Sequence, residues 1–87
     1  MAYTVEFLKT AERQLAALPQ DAQRRIARKI DARRKDPRPP GAELLHGDER
    51  FYRLRVGDYR VIYSIEGKRL VILVIRIGHR KDVYKNL

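Results

Sequence analysis

The sequence predicts an α+β fold: a small β-α-α-β-β-β layer in which a helix hairpin covers one face of a largely antiparallel four-stranded sheet. Three observations predict it. The chain opens on a short alternating stretch rich in β formers. Two stretches of helical apolar spacing follow, divided by Pro19. Three β-rich stretches then close the chain, joined by two turns that each begin with glycine.

Each element has its own reason. Residues 3–7 alternate apolar and polar side chains, the period of a half-buried strand. Over residues 10–18, Ala11, Leu15 and Leu18 recur at helical spacing. Pro19 stops that helix, because it lacks an N–H, and suits the first turn of the next. Residues 21–35 form the second helix, with Ala22, Ile26 and Ile30 as its buried stripe and arginines and lysines over most of the rest. Helices this close in sequence pair as an antiparallel hairpin. Residues 36–48 are rich in proline and glycine and hold no clear element; a connection this long in a small domain is often functional. Strands are expected over residues 51–56, 59–66 and 69–77. The turns between them are Gly57-Asp58 and Gly67-Lys68, whose leading glycine fits a type II′ hairpin. No repeat or second domain appears, so residues 1–87 are expected to form one domain.

Composition narrows the function. Hydrophobic residues make up 44% of the chain and charged residues 36%, too apolar and too well patterned for a disordered chain. There is no cysteine, which excludes disulfides and thiolate metal sites. No apolar run is long enough to span a bilayer, and the opening residues lack the basic and apolar regions of a signal peptide. A cytoplasmic location without membrane attachment is expected. Twenty Lys+Arg stand against eleven Asp+Glu, a net charge of +9, which attracts polyanions. Arginine heavily outnumbers lysine, and its planar fork suits bidentate contact with phosphate.

The first turn fixes a register. With Gly57-Asp58 as the loop, Val56 pairs with Tyr59, Arg55 with Arg60, Leu54 with Val61 and Arg53 with Ile62. One face then carries Leu54, Val56, Tyr59, Val61, Tyr63 and Ile65, joined by Leu70, Ile72 and Val74, and belongs under the helices. The other carries Arg53, Arg55, Arg60 and Ile62, with Leu73 and Ile75 beside them. Arg55 opposite Arg60 is unfavourable on stability grounds, since like charges across a ladder repel. A bound phosphate turns the repulsion into attraction. Alternatively, Glu43, Asp48 or Glu49 neutralises the pair. After the last strand, His79 and Arg80 come off its end near the arginine face, and Tyr84 follows within about one helical turn.

The stretch YRLRVGDYRVIYSIEGKRLVILVIRIGHRKDVY, with the opening YTVEF and the helix hairpin in order before it, resembles the RelE-like toxins of bacterial toxin–antitoxin pairs, within the wider RelE/ParE superfamily. The resemblance covers most of the chain and implies the same β-α-α-β-β-β layer. It also implies a ribosome-dependent endoribonuclease, or mRNA interferase. Such an enzyme cuts the messenger in the A site by attack of the messenger's own 2′-hydroxyl, without metal or cofactor, and so inhibits translation. Carried over by motif, Arg53 and Arg55 match the family's basic pair, Arg60 its next arginine, and Arg80 and Tyr84 its terminal arginine and tyrosine. Arg60 and Arg80 would stabilise charge on the phosphorane and Tyr84 would stack on a base. Arg53 and Arg55 would hold the RNA backbone and polarise the 2′-hydroxyl, with Arg55 counted among the catalytic residues, and Lys81 would add an RNA contact.

Some family members carry lysine where this chain has Arg53 and Arg55. Arginine does not give up its proton, so a shuttle must come from elsewhere. His79 is the best candidate, as histidine titrates near neutrality; Tyr84, His46 and Glu49 follow. The resemblance further implies an acidic, partly disordered antitoxin in a hetero-oligomer with the toxin. Two alternatives stay open: a ParE-like inhibitor of DNA gyrase on the same fold, and an RNA-binding module that cuts nothing.

Overall fold

The chain forms β1 (Thr4–Phe7), α1 (Lys9–Ala16), α2 (Gln20–Ala32), β2 (Glu43–Leu45), β3 (Asp48–Val56), β4 (Tyr59–Glu66) and β5 (Val71–His79). The structure is a computed structural model that describes residues 2–38, 43–45 and 48–83. The strands are ordered β1-β5-β4-β3-β2. β1 runs parallel to β5, and all other neighbours are antiparallel. The α+β layer and its four expected strands are present, and β2 adds a short fifth at one edge. No helix among the described residues is long and apolar enough to cross a membrane.

The helices sit where their apolar stripes put them. α1 lies over β5 and α2 over β3. Ala11, Ile26 and Ile30 meet Leu54, Val56, Val61, Tyr63, Ile72, Val74 and Ile77 in one core. Each fully buried aliphatic side chain there contributes roughly 1.5–3 kcal/mol. Neither helix has a side-chain N-cap, as Leu8 and Pro19 occupy those positions. Gln23 closes the turn between the helices instead. Its Nε2 donates to the carbonyl of Ala16 (3.3 Å), which α1 leaves without a helical partner, and to that of Leu18 in the connection (2.8 Å).

The β3–β4 register is the expected one, with Arg55 opposite Arg60. In the turn between these strands Gly57 has φ +58° and Asp58 does not share a positive φ, as a type II′ turn requires. Elsewhere the strands differ from expectation in three ways. Residues 43–45 pair with the outer edge of β3, and β3 itself starts at Asp48. Three residues are too few for alternation to reveal. The second turn is a four-residue loop, so Glu66 pairs with Val71 and Leu70 is not a strand residue. Leu70 takes φ 54°, and its carbonyl accepts the Thr4 N–H at 2.8 Å. Arg69 is tied to Glu66 (2.6 Å) and Glu6 (3.4 Å). These ties, long-range to Thr4 and Glu6 and local to Glu66, hold open a loop that local sequence reads as a tight turn. Finally, β5 contains a bulge. Ile62 pairs with Arg76 and Tyr63 with Val74, leaving Ile75 over.

Tyr63 links the sheet to the segment that follows α2. The residue is 2% exposed, and its hydroxyl donates to the Pro37 carbonyl at 2.8 Å. Burial pushes the phenol above its ordinary value of 10.0, against the opposing pull of Arg33 and Arg38. The folded state therefore holds the proton more tightly than the unfolded state. The associated stability is fully present below pH 10 and is lost as pH rises through the folded value. Tyr63→Phe is expected to cost about 1 kcal/mol near neutral pH through the lost hydrogen bond. The same variant should show a flatter fall in stability above pH 10. Urea denaturation between pH 7 and 11.5 reads both, and equally steep alkaline losses in the two proteins would refute the second.

Candidate nucleic-acid interface

The face turned away from the helices carries two rows of side chains. Arg55, Arg60 and Gly78 are successive partners across β3, β4 and β5; Arg53, Ile62 and Arg76 form the next row. Arg55 is exposed, and Arg53, Arg60 and Arg76 are half-buried. The turn orients Arg60, whose Nη1 donates to the carbonyls of Gly57 and Tyr59, both at 2.9 Å. These contacts leave the guanidinium's other donors for a ligand.

Arg80 arrives from the other direction. Its backbone N–H donates to the Asp58 carbonyl at 2.8 Å, which sets the start of the terminal turn beside the β3–β4 turn. The N–H groups of Asp82 and Val83 then return to the His79 carbonyl at 2.8 and 3.0 Å. Val83 is buried, and it lies over Gly78, where an added Cβ would meet it at 3.6 Å. Lys81 is exposed on this turn. Tyr84 and His46 lie outside the described residues, as do the side chains of Glu43, Asp48 and Glu49.

His79 is not where the sequence places it. It pairs with Tyr59, which alternation puts on the helix side, and its ring meets the Tyr59 ring edge-on at 6.4 Å. Its Nδ1 accepts the Lys81 N–H at 3.3 Å, so the proton of the neutral ring sits on Nε2. The bulge at Ile75 is the cause, because it reverses the phase of β5 from that point on. The same reversal brings Arg76, which sequence reasoning missed, onto the arginine face. A signal was present: strict alternation from Ile72 and Val74 would send Arg76 into the core, and an arginine in that phase marks a bulge.

Charge on this face is concentrated. The ion pairs of Arg34 with Asp31 and of Arg69 with Glu66 and Glu6 lie away from the β3–β4 turn. Among the described residues no carboxylate pairs with Arg55, Arg60 or Arg80. The basic surface continues round the edge of β3, where Arg25, Arg28 and Lys29 of α2 line a groove with Arg55, Val56 and Gly57. The Arg25 guanidinium lies so close to Gly57 that a Cβ there would come within 2.6 Å of it. Such a surface attracts phosphate, and its paired forks suit bidentate contact.

Residues 5–84 match the family model described as the ParE toxin of type II toxin-antitoxin systems, parDE. The chain is 30% identical over 89 residues to toxin RelG of Mycobacterium tuberculosis, covering 98% of this chain and 99% of that protein. Among solved structures it resembles the archaeal RelE–RelB complex from Pyrococcus horikoshii, with 33% identity, a TM-score of 0.78, and coverage of 95% of this chain and 100% of the matched one. The isolated Escherichia coli RelE toxin shares the fold at a TM-score of 0.81, with 22% identity over 90% of this chain and 84% of that one.

Proposed function

The chain belongs to the ParE/RelE family of type II toxins, on its RelE-like side, and from that premise we propose that it is a ribosome-dependent endoribonuclease that cuts messenger RNA in the A site. The observation that carries this reading is the convergence of Arg55, Arg60 and Arg80 beside one turn, with no carboxylate partner among the described residues.

The chemistry follows from that convergence. The messenger's 2′-oxygen attacks the adjacent phosphorus and loses its proton. The bond to the 5′-oxygen breaks, and that oxygen takes up a proton. The products are a 2′,3′-cyclic phosphate and a 5′-hydroxyl. Negative charge grows on the phosphorane in between. Arg60, already oriented by two carbonyls, stabilises it with little reorganisation, and Arg80 adds a second cationic donor, an effect worth about 3 kcal/mol per donor. Arg53, Arg55 and Lys81 hold the flanking phosphates, and Tyr84 stacks on a base. Since no arginine moves the proton, that task falls to His79 at the end of β5, whose ring must give up its Nδ1 contact with the Lys81 N–H to take up and release a proton.

The test is a reconstituted translation reaction with messenger 5′ ends mapped by primer extension. Cuts at A-site codons that need ribosomes, and that vanish in Arg80→Ala, support the reading; intact messenger with translation unimpaired overturns it. His79→Ala should slow cleavage roughly 10²-fold or more with ribosome binding unchanged. Full activity in that variant would pass the proton to another group.

The matching family model is the ParE toxin, and this favours a second reading, inhibition of DNA gyrase. A gyrase cleavage-complex assay separates the two, because the nuclease reading expects no trapped complex. Both readings carry a cytoplasmic site of action and an acidic antitoxin that covers the arginine face. The complexes of RelE-like toxins with RelB support that partner.

A further inference from the structure

We propose that Arg76 is a positioning residue, one that clips the returning chain at Val83 and so fixes where Arg80 stands beside Arg60. The inference rests on the nuclease reading for its catalytic consequence and on geometry alone for the clip.

Three observations converge on it. The bulge at Ile75 turns Arg76 onto the arginine face, in line with Arg53 and Ile62 and one row from Arg60. From there its Nη1 donates to the Val83 carbonyl at 3.4 Å, a contact spanning seven residues. Val83 itself is buried against Gly78, the partner of Arg60. The terminal turn is thus held at both ends, by Asp58 at the Arg80 N–H and by Arg76 at the Val83 carbonyl. Its backbone bonds to His79 set the shape of the turn but not its direction over the sheet. Arg76 supplies that direction. Its half-buried stem lies beside Ile62, which is fully buried on this face, so the clip is anchored by packing as well as by charge. A phosphorane donor displaced by about 1 Å loses most of its effect, so a residue that never touches the RNA still governs the rate.

The experiment compares wild type, Arg76→Ala and Arg76→Lys in single-turnover cleavage on ribosomes and in amide hydrogen exchange. Arg76→Ala is expected to slow the cleavage step roughly ten- to hundredfold. Its half-saturating concentration should move by no more than about twofold, as removing a transition-state interaction requires. The amides of Asp82 and Val83 should exchange at least roughly tenfold faster, while those of Val61 and Ile72 in the sheet keep their protection. Arg76→Lys, which retains a cationic donor on a long stem, should recover part of both the rate and the protection. An unchanged cleavage rate, or unchanged exchange at Val83, overturns the proposal. A loss confined to binding also overturns it and makes Arg76 a phosphate contact. Faster exchange across the whole sheet, unrelieved by lysine, overturns it in favour of a plain packing role. If the wild-type protein does not cut, the nuclease reading fails separately, and exchange at Val83 still decides whether Arg76 holds the turn.

Discussion

Arg60→Ala is expected to lower the single-turnover rate of messenger cleavage on the ribosome by roughly 10²–10³-fold, the usual effect of removing one preorganised donor to a developing oxyanion. The reason lies in the β3–β4 turn. The carbonyls of Gly57 and Tyr59 hold one nitrogen of the guanidinium, so it meets the phosphorane already aimed. Lysine keeps the charge but has no planar fork with which to hold the turn and the phosphate together, so Arg60→Lys should recover little of the loss. Stability should behave differently. Arg60 faces Arg55 across the ladder, and removing it relieves a like-charge pair while giving up one exposed and one part-buried hydrogen bond. The two effects oppose each other, and the net change in unfolding free energy should stay within about 0.5 kcal/mol. A cleavage rate within about threefold of wild type would remove Arg60 from the chemistry. A large loss of stability would make the turn bonds structural.

The arginine pair was legible because a tight turn and a period of two leave little freedom. Once Gly57-Asp58 is the loop, every partner of β3 on β4 follows. The same logic failed on β5, and for one physical reason. The bulge at Ile75 shifts the phase by one residue, which carries Arg76 onto the arginine face and His79 off it. Alternation that is counted from one end cannot register an inserted residue, although the arginine within VILVIRI shows where the count breaks. The remaining differences are tertiary. β2 exists because β3 offers an open edge, and the loop at residues 67–70 is widened by Thr4, Glu6 and Glu66. None of these contacts is local in sequence except Arg69 with Glu66. The groove beside α2 was hidden for the same reason. The helix arginines were plain, but the packing of Arg25 against Gly57 depends on how α2 crosses β3.

That packing depends in turn on the apolar stripe of α2, and Ile26→Ala tests it. Ile26 has no exposed surface and lies in the core with Leu54 and Val56 of β3. Its truncation removes three buried carbons and leaves a cavity, an expected loss of 2–5 kcal/mol, roughly. A domain of this size commands only about 5–15 kcal/mol in all, so the loss is a large fraction of its stability. Urea denaturation should show a lower midpoint with an unchanged slope, and Ile26→Val should lose only about 0.5–1.5 kcal/mol. A loss below about 1 kcal/mol in Ile26→Ala would mean that the site collapses around the deletion and that α2 is held by other contacts. Well below the melting temperature, most Ile26→Ala molecules are folded, and cleavage per folded molecule should be close to that of wild type. Arg60→Ala is the mirror case, folded and slow. The two variants therefore separate the surface that holds the RNA from the core that holds the surface, and a variant that lost both in equal measure would show that the two are not independent.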